Sequence, residues 1–394
     1  MKNEFDVVIV GGGIAGSVAA WTFRQSGLSV ALVDERAKAH SFFRAERISH
    51  GVGEILKELG IFDALGDVSL SLEKTATIRN GKVTHVSTDF DYSAPVGYVV
   101  QALRDKMKEV DGIEMVIEPA QSAECSEHQQ TLVLKSGRKL DAKLLVVATG
   151  GSTAFLKSLG VRRKILSKNH SSTFGFNINA GANFQLPANS VTVRICRDDA
   201  DYMNIFPMPE GGYRANLFTY WPAGSKKQRE FVTGDTDSIL RSLVPNLKNV
   251  TGEWAVEGAV DCGSVSVLKS DGYQDKSGLV LIGDAYGRIC PCGGKGVAKV
   301  LNDILALRDL VPAWITDDVE LTPKKLNELY LNSKRTDFEE QVYCEAIALR
   351  DRMMKKTPYW TVNRFWYRHA PHWLKVAVWK LKSGRGYTSG LGAH

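Results

Sequence analysis

Residues 7–20 read VVIVGGGIAGSVAA, and this stretch restricts the fold more tightly than any other. Residues 7–10 are wholly apolar, as suits a parallel strand covered on both faces. Gly11, Gly13 and Gly16 then spell G-x-G-x-x-G, and a helical pattern follows over Ile14–Gln25. In such a unit the first glycine permits a tight turn and the second lets backbone approach a pyrophosphate. The third lets helix and strand pack closely. Ile14 and Ala15 open the helix, so their amides point at the phosphates. The next apolar run, SVALVDER, carries Glu35 at its end, 24 residues after Gly11. A carboxylate there accepts ribose hydroxyls, and Arg36 stands beside it as a further cofactor contact. Strand, loop, helix, strand and acid in this order predict an α/β, Rossmann-type dinucleotide-binding domain.

FAD and NAD share that fingerprint, so the choice rests on GLVLIGDAYGRICPCGGKGVAKVLNDILAL, residues 278–307. A strand over 279–282 meets Gly283 and Asp284. A loop bearing Pro291 and Gly294 follows, and a helix begins near Gly296 and Val297. An aspartate so placed reaches ribityl hydroxyls. The opening amides of the helix face the pyrimidine edge of an isoalloxazine, where they favour the negative charge of a reduced flavin. The sequence holds one G-x-G-x-x-G only, so a nicotinamide reductant has no second Rossmann unit and must dock transiently. No C-x4-C lies beside the first helix, which argues against a disulfide reductase.

These segments resemble the FAD-dependent superfamily that contains para-hydroxybenzoate hydroxylase (group A flavin monooxygenases) and geranylgeranyl reductase. FFRAERISHGVGEILKELGIFDAL (42–65) is similar to the arginine-bearing segment and helix that follow the second strand in the hydroxylases. The resemblance makes Arg44 the arginine near the flavin and the incoming nicotinamide, and with Pro291 a candidate catalytic residue. VGYVVQALRDKM (96–107) resembles the strand and helix flanking the flavin, with Gln101 as a flavin contact. LLVVATGGSTAFLKSLGV (144–161) resembles the Asp-Gly motif, with Thr149 in place of the aspartate. The resemblance spans residues 5–310 and implies FAD, with NAD(P)H as a transient reductant.

Three regions follow. Residues 1–75, 96–165 and 265–310 form a discontinuous, three-layer FAD-binding domain. Residues 76–95 and 166–264 alternate apolar and polar positions between Gly, Pro and Asn turns, which predicts an interleaved antiparallel substrate sheet. Residues 311–394 form a helical C-terminal region with a basic aromatic tail. Within it, 323–356 reads as a packed outer helix with one solvated, charged face.

The resemblance leaves several chemistries open. The first is an NAD(P)H-driven monooxygenase that hydroxylates a small aromatic or hydrophobic substrate through a flavin C4a-hydroperoxide. The second is an ene reductase acting on a polyprenyl or other alkene. YMNIFP (202–207) resembles the reductase signature at Tyr202, Phe206 and Pro207, with Asn204 in place of a tryptophan. A halogenase would need two tryptophans in that hexapeptide, and both are missing. A partner protein whose side chain is oxidised is the remaining candidate substrate. Tyr202, Asn204, Phe206, Cys290 and Cys292 are the candidate substrate-site residues.

Composition narrows the setting. Hydrophobic content of 44% and charged content of 24% are those of a globular protein. No run approaches the ~20 apolar residues of a membrane span. The first strand starts almost at residue 1, so no signal peptide is expected. The six cysteines are sparse and lack zinc spacing, which predicts a reduced, cytoplasmic protein without a metal. Residues 352–394 carry nine Lys or Arg and no Asp or Glu, with four of the eight tryptophans. That mixture predicts peripheral contact with a membrane surface through residues 358–387. Nucleic acid would also suit the charge, but the flavoprotein body offers it nothing.

Overall fold

The computed structural model describes residues 3–40 and 46–369, and side chains as far as Trp366. Its first layer is a parallel sheet with strands in the order Ile113–Ile117, Val30–Asp34, Glu4–Val10, Lys139–Val147, Leu279–Leu281. These strands are apolar throughout because both faces are covered. Val7, Ile9, Leu32, Val146 and Val280 point into a core shared with the helices Ile14–Gln25, Val96–Met107 and Gly296–Thr316. Val8, Val10, Val33, Val147 and Leu281 point the other way, toward Leu132, Leu140, Phe155 and Leu156. Each fully buried Val or Leu contributes about 1.5–3 kcal/mol.

Lys139–Val147 has two partners along one edge. Its first half pairs antiparallel with Gln130–Leu134, and its second half pairs parallel with Leu279–Leu281. Gln130 fills the handover point. Its amide donates to the carbonyls of Ser126 and Lys143 at 2.9 and 3.0 Å.

The second sheet has eight strands, in the order Gly287–Arg288, Trp254–Asp271, Arg162–Ala180, Tyr213–Thr219, Ala200–Pro207, Ser190–Arg197, Thr75–Arg79, Lys82–Ser87. Period-two alternation gives it two unlike faces. Phe174, Phe176, Val191, Val193, Met203, Ile205 and Leu217 form the apolar face. It is roofed by Phe231, Leu240 and Leu243 from the helices Lys226–Thr233 and Thr236–Leu243. Thr192, Arg194, Tyr202, Asn204, Arg214 and Asn216 occupy alternate positions of the same strands, in register across them. This face is polar.

The region expected to be one outer helix over 323–356 is two, Pro323–Leu331 and Ser333–Met354. Asn332 separates them because its side-chain oxygen accepts the Arg335 amide at 3.2 Å and caps the second helix. Nor is every charge of that helix solvated: Arg335 and Glu339 are buried.

Candidate active site

The first glycine loop is held by backbone contact and by one ion pair. Gly11 has φ +105°, and a β-carbon there would lie 2.5 Å from the Ala148 carbonyl oxygen. A β-carbon at Gly16 would lie 1.8 Å from the Gly11 carbonyl oxygen. Gly13 differs. It stands at the N-cap of Ile14–Gln25, and a β-carbon there meets nothing within 4 Å. Close packing at 11 and 16 thus leaves open space at 13, in front of the helix amides.

Asp34, the last residue of the second strand, accepts the Gly12 amide at 2.6 Å. Arg104 is 2% exposed and closes the loop from behind. Its Nε and Nη2 donate to the Gly12 carbonyl at 2.9 and 2.6 Å, its Nη1 donates to the Arg36 carbonyl at 3.0 Å, and it pairs with Asp34 at 3.1 Å. Glu35 is exposed and pairs with its neighbour Arg36, at 3.3 Å. Gln101 accepts the Ala39 amide at 2.9 Å and donates to Asp105 at 3.0 Å, bracing the chain that leaves the second strand. Arg44 lies outside the described residues. Thr149, in the position where an aspartate was expected, has a buried hydroxyl without a hydrogen-bond partner among the described residues.

The fold brings the second loop onto the first. Gly283 has φ +58°, and a β-carbon there would lie 3.2 Å from both the Ala15 and Val300 side chains. Asp284 follows, half-buried, in a short 3-10 turn whose carbonyl accepts from Arg163 at 2.5 Å. Beneath it lies a buried charge cluster. Asp303 accepts the Gly283 amide at 2.8 Å and the Arg335 Nε at 2.7 Å. Lys299 approaches Asp303 at 3.5 Å and Glu339 at 4.0 Å, and Arg335 approaches Glu339 at 3.6 Å. The Arg335 guanidinium also lies 4.4 Å from the Tyr286 ring centroid. Two cations and two anions therefore fix the turn that presents Asp284.

Pro291 opens a second 3-10 turn, Gly294 closes it at φ +64°, and Gly296 and Val297 begin the long helix. Cys290 and Cys292 are buried on either side of Pro291. The Cys290 Sγ donates to the Ser171 hydroxyl at 3.3 Å, and the Tyr202 hydroxyl donates to the Cys292 carbonyl at 2.9 Å. The polar face of the second sheet therefore bears directly on this loop. Burial pushes the Cys292 thiol well up. Burial also opposes ionisation of Cys290, but hydrogen bonds from Cys292 and His170 outweigh it and lower that thiol. Both thiols are expected to stay free and unattached to flavin. Intact mass after acid precipitation should show the bare chain, with both cysteines alkylated only after unfolding. A mass increment of one flavin would overturn this.

Further along the face, Arg214 joins three partners: Glu46 at 3.2 Å, Asn177 at 3.1 Å and Asp261 at 2.8 Å. Burial raises the Glu46 carboxyl from an ordinary 4.5 to about 7, against the pull of Arg214 and the hydrogen bond from Asn216. The folded chain therefore binds a proton here that the unfolded chain releases near 4.5. This contribution to stability is complete below pH 4.5 and is lost as pH rises through 7. Relative to Glu46→Gln, the parent should lose on the order of 1–3 kcal/mol across that window. Urea titrations of both proteins at stepped pH check it, and parallel curves would contradict it. Asn204 accepts from Thr192 at 2.9 Å, while Phe206 is fully buried beside Leu72 and Met208.

A family model described as FAD binding domain matches residues 4–318. The chain belongs to this FAD-binding family. It is an FAD-dependent oxidoreductase. Digeranylgeranylglycerophospholipid reductase of Methanoculleus marisnigri is 25% identical over 315 residues, 76% of this chain and 75% of that one. Kynurenine 3-monooxygenase of Dictyostelium discoideum is 22% identical over 322 residues, 76% and 68% of the two chains. The crystal structure of p-nitrophenol 4-monooxygenase from Pseudomonas putida superposes with a TM-score of 0.71 at 17% identity, covering 97% of this chain and 98% of that one. That last likeness is one of fold.

The residues present fit FAD. The space left at Gly13 suits a pyrophosphate against the helix amides. The turn at Gly283 and Asp284 stands beside the same helix start, as a cofactor spanning both loops requires. Asp34, Arg104, Glu46, Arg214 and the cluster around Asp303 were not singled out from the sequence of this FAD-binding protein. One signal was available for Arg104, which is a charged residue in line with the buried positions Gly97, Val100 and Met107 of its helix.

Proposed function

We propose that the protein is an NAD(P)H-driven monooxygenase for a compact aromatic substrate that carries a polar or ionic group. The polar face of the second sheet carries this reading. Arg194, Asn204, Arg214 and Asn216 share the sheet face whose Tyr202 reaches the loop of Pro291, and the Asn216 Oδ1 is buried without a hydrogen-bond partner among the described residues. Such a surface suits hydrogen-bonding groups and would leave a polyprenyl chain against polar atoms. The kynurenine 3-monooxygenase relative supports the same choice.

In this reading Gly11, Gly13, Gly16 and the helix start hold the pyrophosphate, and Asp284 holds the ribityl chain. Glu35, Arg36 and Gln101 flank the adenosine end. The amides of Gly296 and Val297 face the edge that becomes anionic on reduction. FAD, when bound, supplies two-electron transfer from NAD(P)H and activation of oxygen. The chain supplies orientation and exclusion of water. Tyr202 fixes the loop of Cys290, Pro291 and Cys292 through the Cys292 carbonyl, and Arg214 orients the substrate's polar group. The Glu46 carboxyl exchanges a proton with a substrate hydroxyl or amine near neutral pH. Arg44 receives the transient nicotinamide.

The 25% identical reductase favours a second reading, reduction of an alkene. Oxygen separates the two. Aromatic acids, amines and phenols should stimulate NAD(P)H oxidation with matching oxygen uptake and a hydroxylated product. Anaerobic turnover of an alkene, with no oxygen incorporated into any aromatic, would reject the monooxygenase reading. An oxidised side chain on a partner protein would move the substrate class from small molecule to protein.

A further inference from the structure

The helix Pro358–His369 displays an apolar side that no described element covers. Tyr359, Val362 and Phe365 are 67%, 67% and 66% exposed, and Trp366 is 36% exposed. Their spacing of three, three and one residues puts them on one side of the helix. That side is held outward. On the opposite side Arg364 donates to the carbonyls of Met353 and Lys355 at 2.9 and 2.6 Å, and Arg352 donates to the Asn363 side chain at 3.1 Å. These bonds clamp the helix to the end of Ser333–Met354.

Charge identifies the occupant. From Arg352 to the C-terminus the chain has nine Lys or Arg and no carboxylate side chain, while residues 1–351 sum to −3. A second copy would bring the same positive charge to this side, and so would residues 370–394 of the chain itself. Both would add repulsion. An anionic lipid surface instead offers apolar depth for the aromatic side and phosphates for the ammonium and guanidinium groups. No helix among the described residues is long and apolar enough to cross a membrane. We infer that the helix Pro358–His369 docks the protein on an anionic membrane surface through Tyr359, Val362, Phe365 and Trp366. This is independent of which substrate the flavin site takes.

The test uses the full chain loaded with FAD. It is floated with vesicles of phosphatidylcholine containing phosphatidylglycerol, and with vesicles of phosphatidylcholine alone. Binding should need the anionic lipid and weaken with added salt. Val362→Ser with Phe365→Ser should lower partitioning at least about tenfold, with unchanged flavin absorbance as the control for folding. Absence of vesicle binding by the parent, or equal binding by the double variant, would overturn the inference. Light scattering covers the other occupants. A dimer that the double variant dissolves, or a monomer that leaves vesicles alone until residues 370–394 are removed, would assign the surface to a second copy or to the chain's own end.

Discussion

Replacing Arg335 by methionine should cost the fold about 3–5 kcal/mol, the usual result of removing one member of a buried ionic group. Asp303 is 1% exposed and Glu339 is 6% exposed. Without Arg335 these two carboxylates would share only Lys299. The stem of methionine replaces most of the lost volume, so the loss is chiefly electrostatic. Denaturant midpoints of the two proteins check the size. Adding Glu339→Gln to the variant should recover part of the loss, because it removes one of the two stranded anions. A cost under about 1 kcal/mol, or no recovery, would mean that the cluster is a solvated surface group. The effect should also reach the cofactor, since Asp303 holds the Gly283 amide next to Asp284.

Two glycines of the first loop should fail in opposite ways. Gly13→Ala places a methyl group in space that contains no protein atom within 4 Å. The apoprotein should melt as the parent does, while FAD affinity falls roughly ten- to hundred-fold, as about 1–3 kcal/mol of steric conflict implies. Gly16→Ala places its methyl group 1.8 Å from the Gly11 carbonyl oxygen. The loop must move, so stability should fall with or without FAD. Thermal melts of both variants at several FAD concentrations separate the cases. If Gly13→Ala bound FAD as tightly as the parent, the pyrophosphate would not lie in front of that helix.

What could be read from the sequence was local. The glycine loop, its strand and helix, and the Gly283–Asp284 turn each depend on neighbouring residues, and their spacing carries the information. Tertiary partners were less legible. Asp34, one residue before Glu35, holds the glycine loop, and no local pattern marked it for that task, because a strand alternates faces and one step changes the side. Arg335 and Glu339 looked like part of a solvated helix face. Their burial comes from Asp303 and Lys299, more than thirty residues earlier in the chain. Glu46 and Arg214 lie 168 residues apart, and no local pattern links them. The polarity of one face of the second sheet was present in the strand alternation of YRANLFT, but which face meets the flavin body depends on the packing of the two domains.

In the proposed arrangement one FAD lies across both loops, from Gly13 to Asp284. The most direct measurement is the amount and identity of flavin released by denaturing the purified protein, compared with the same assay on Asp284→Ala. The parent chain should release one FAD, without covalent attachment. The variant should fold but bind FAD roughly ten- to hundred-fold more weakly, the equivalent of one charge-assisted hydrogen bond. A parent protein that neither retains nor takes up FAD, or an Asp284→Ala protein with full occupancy at limiting FAD, would contradict that arrangement.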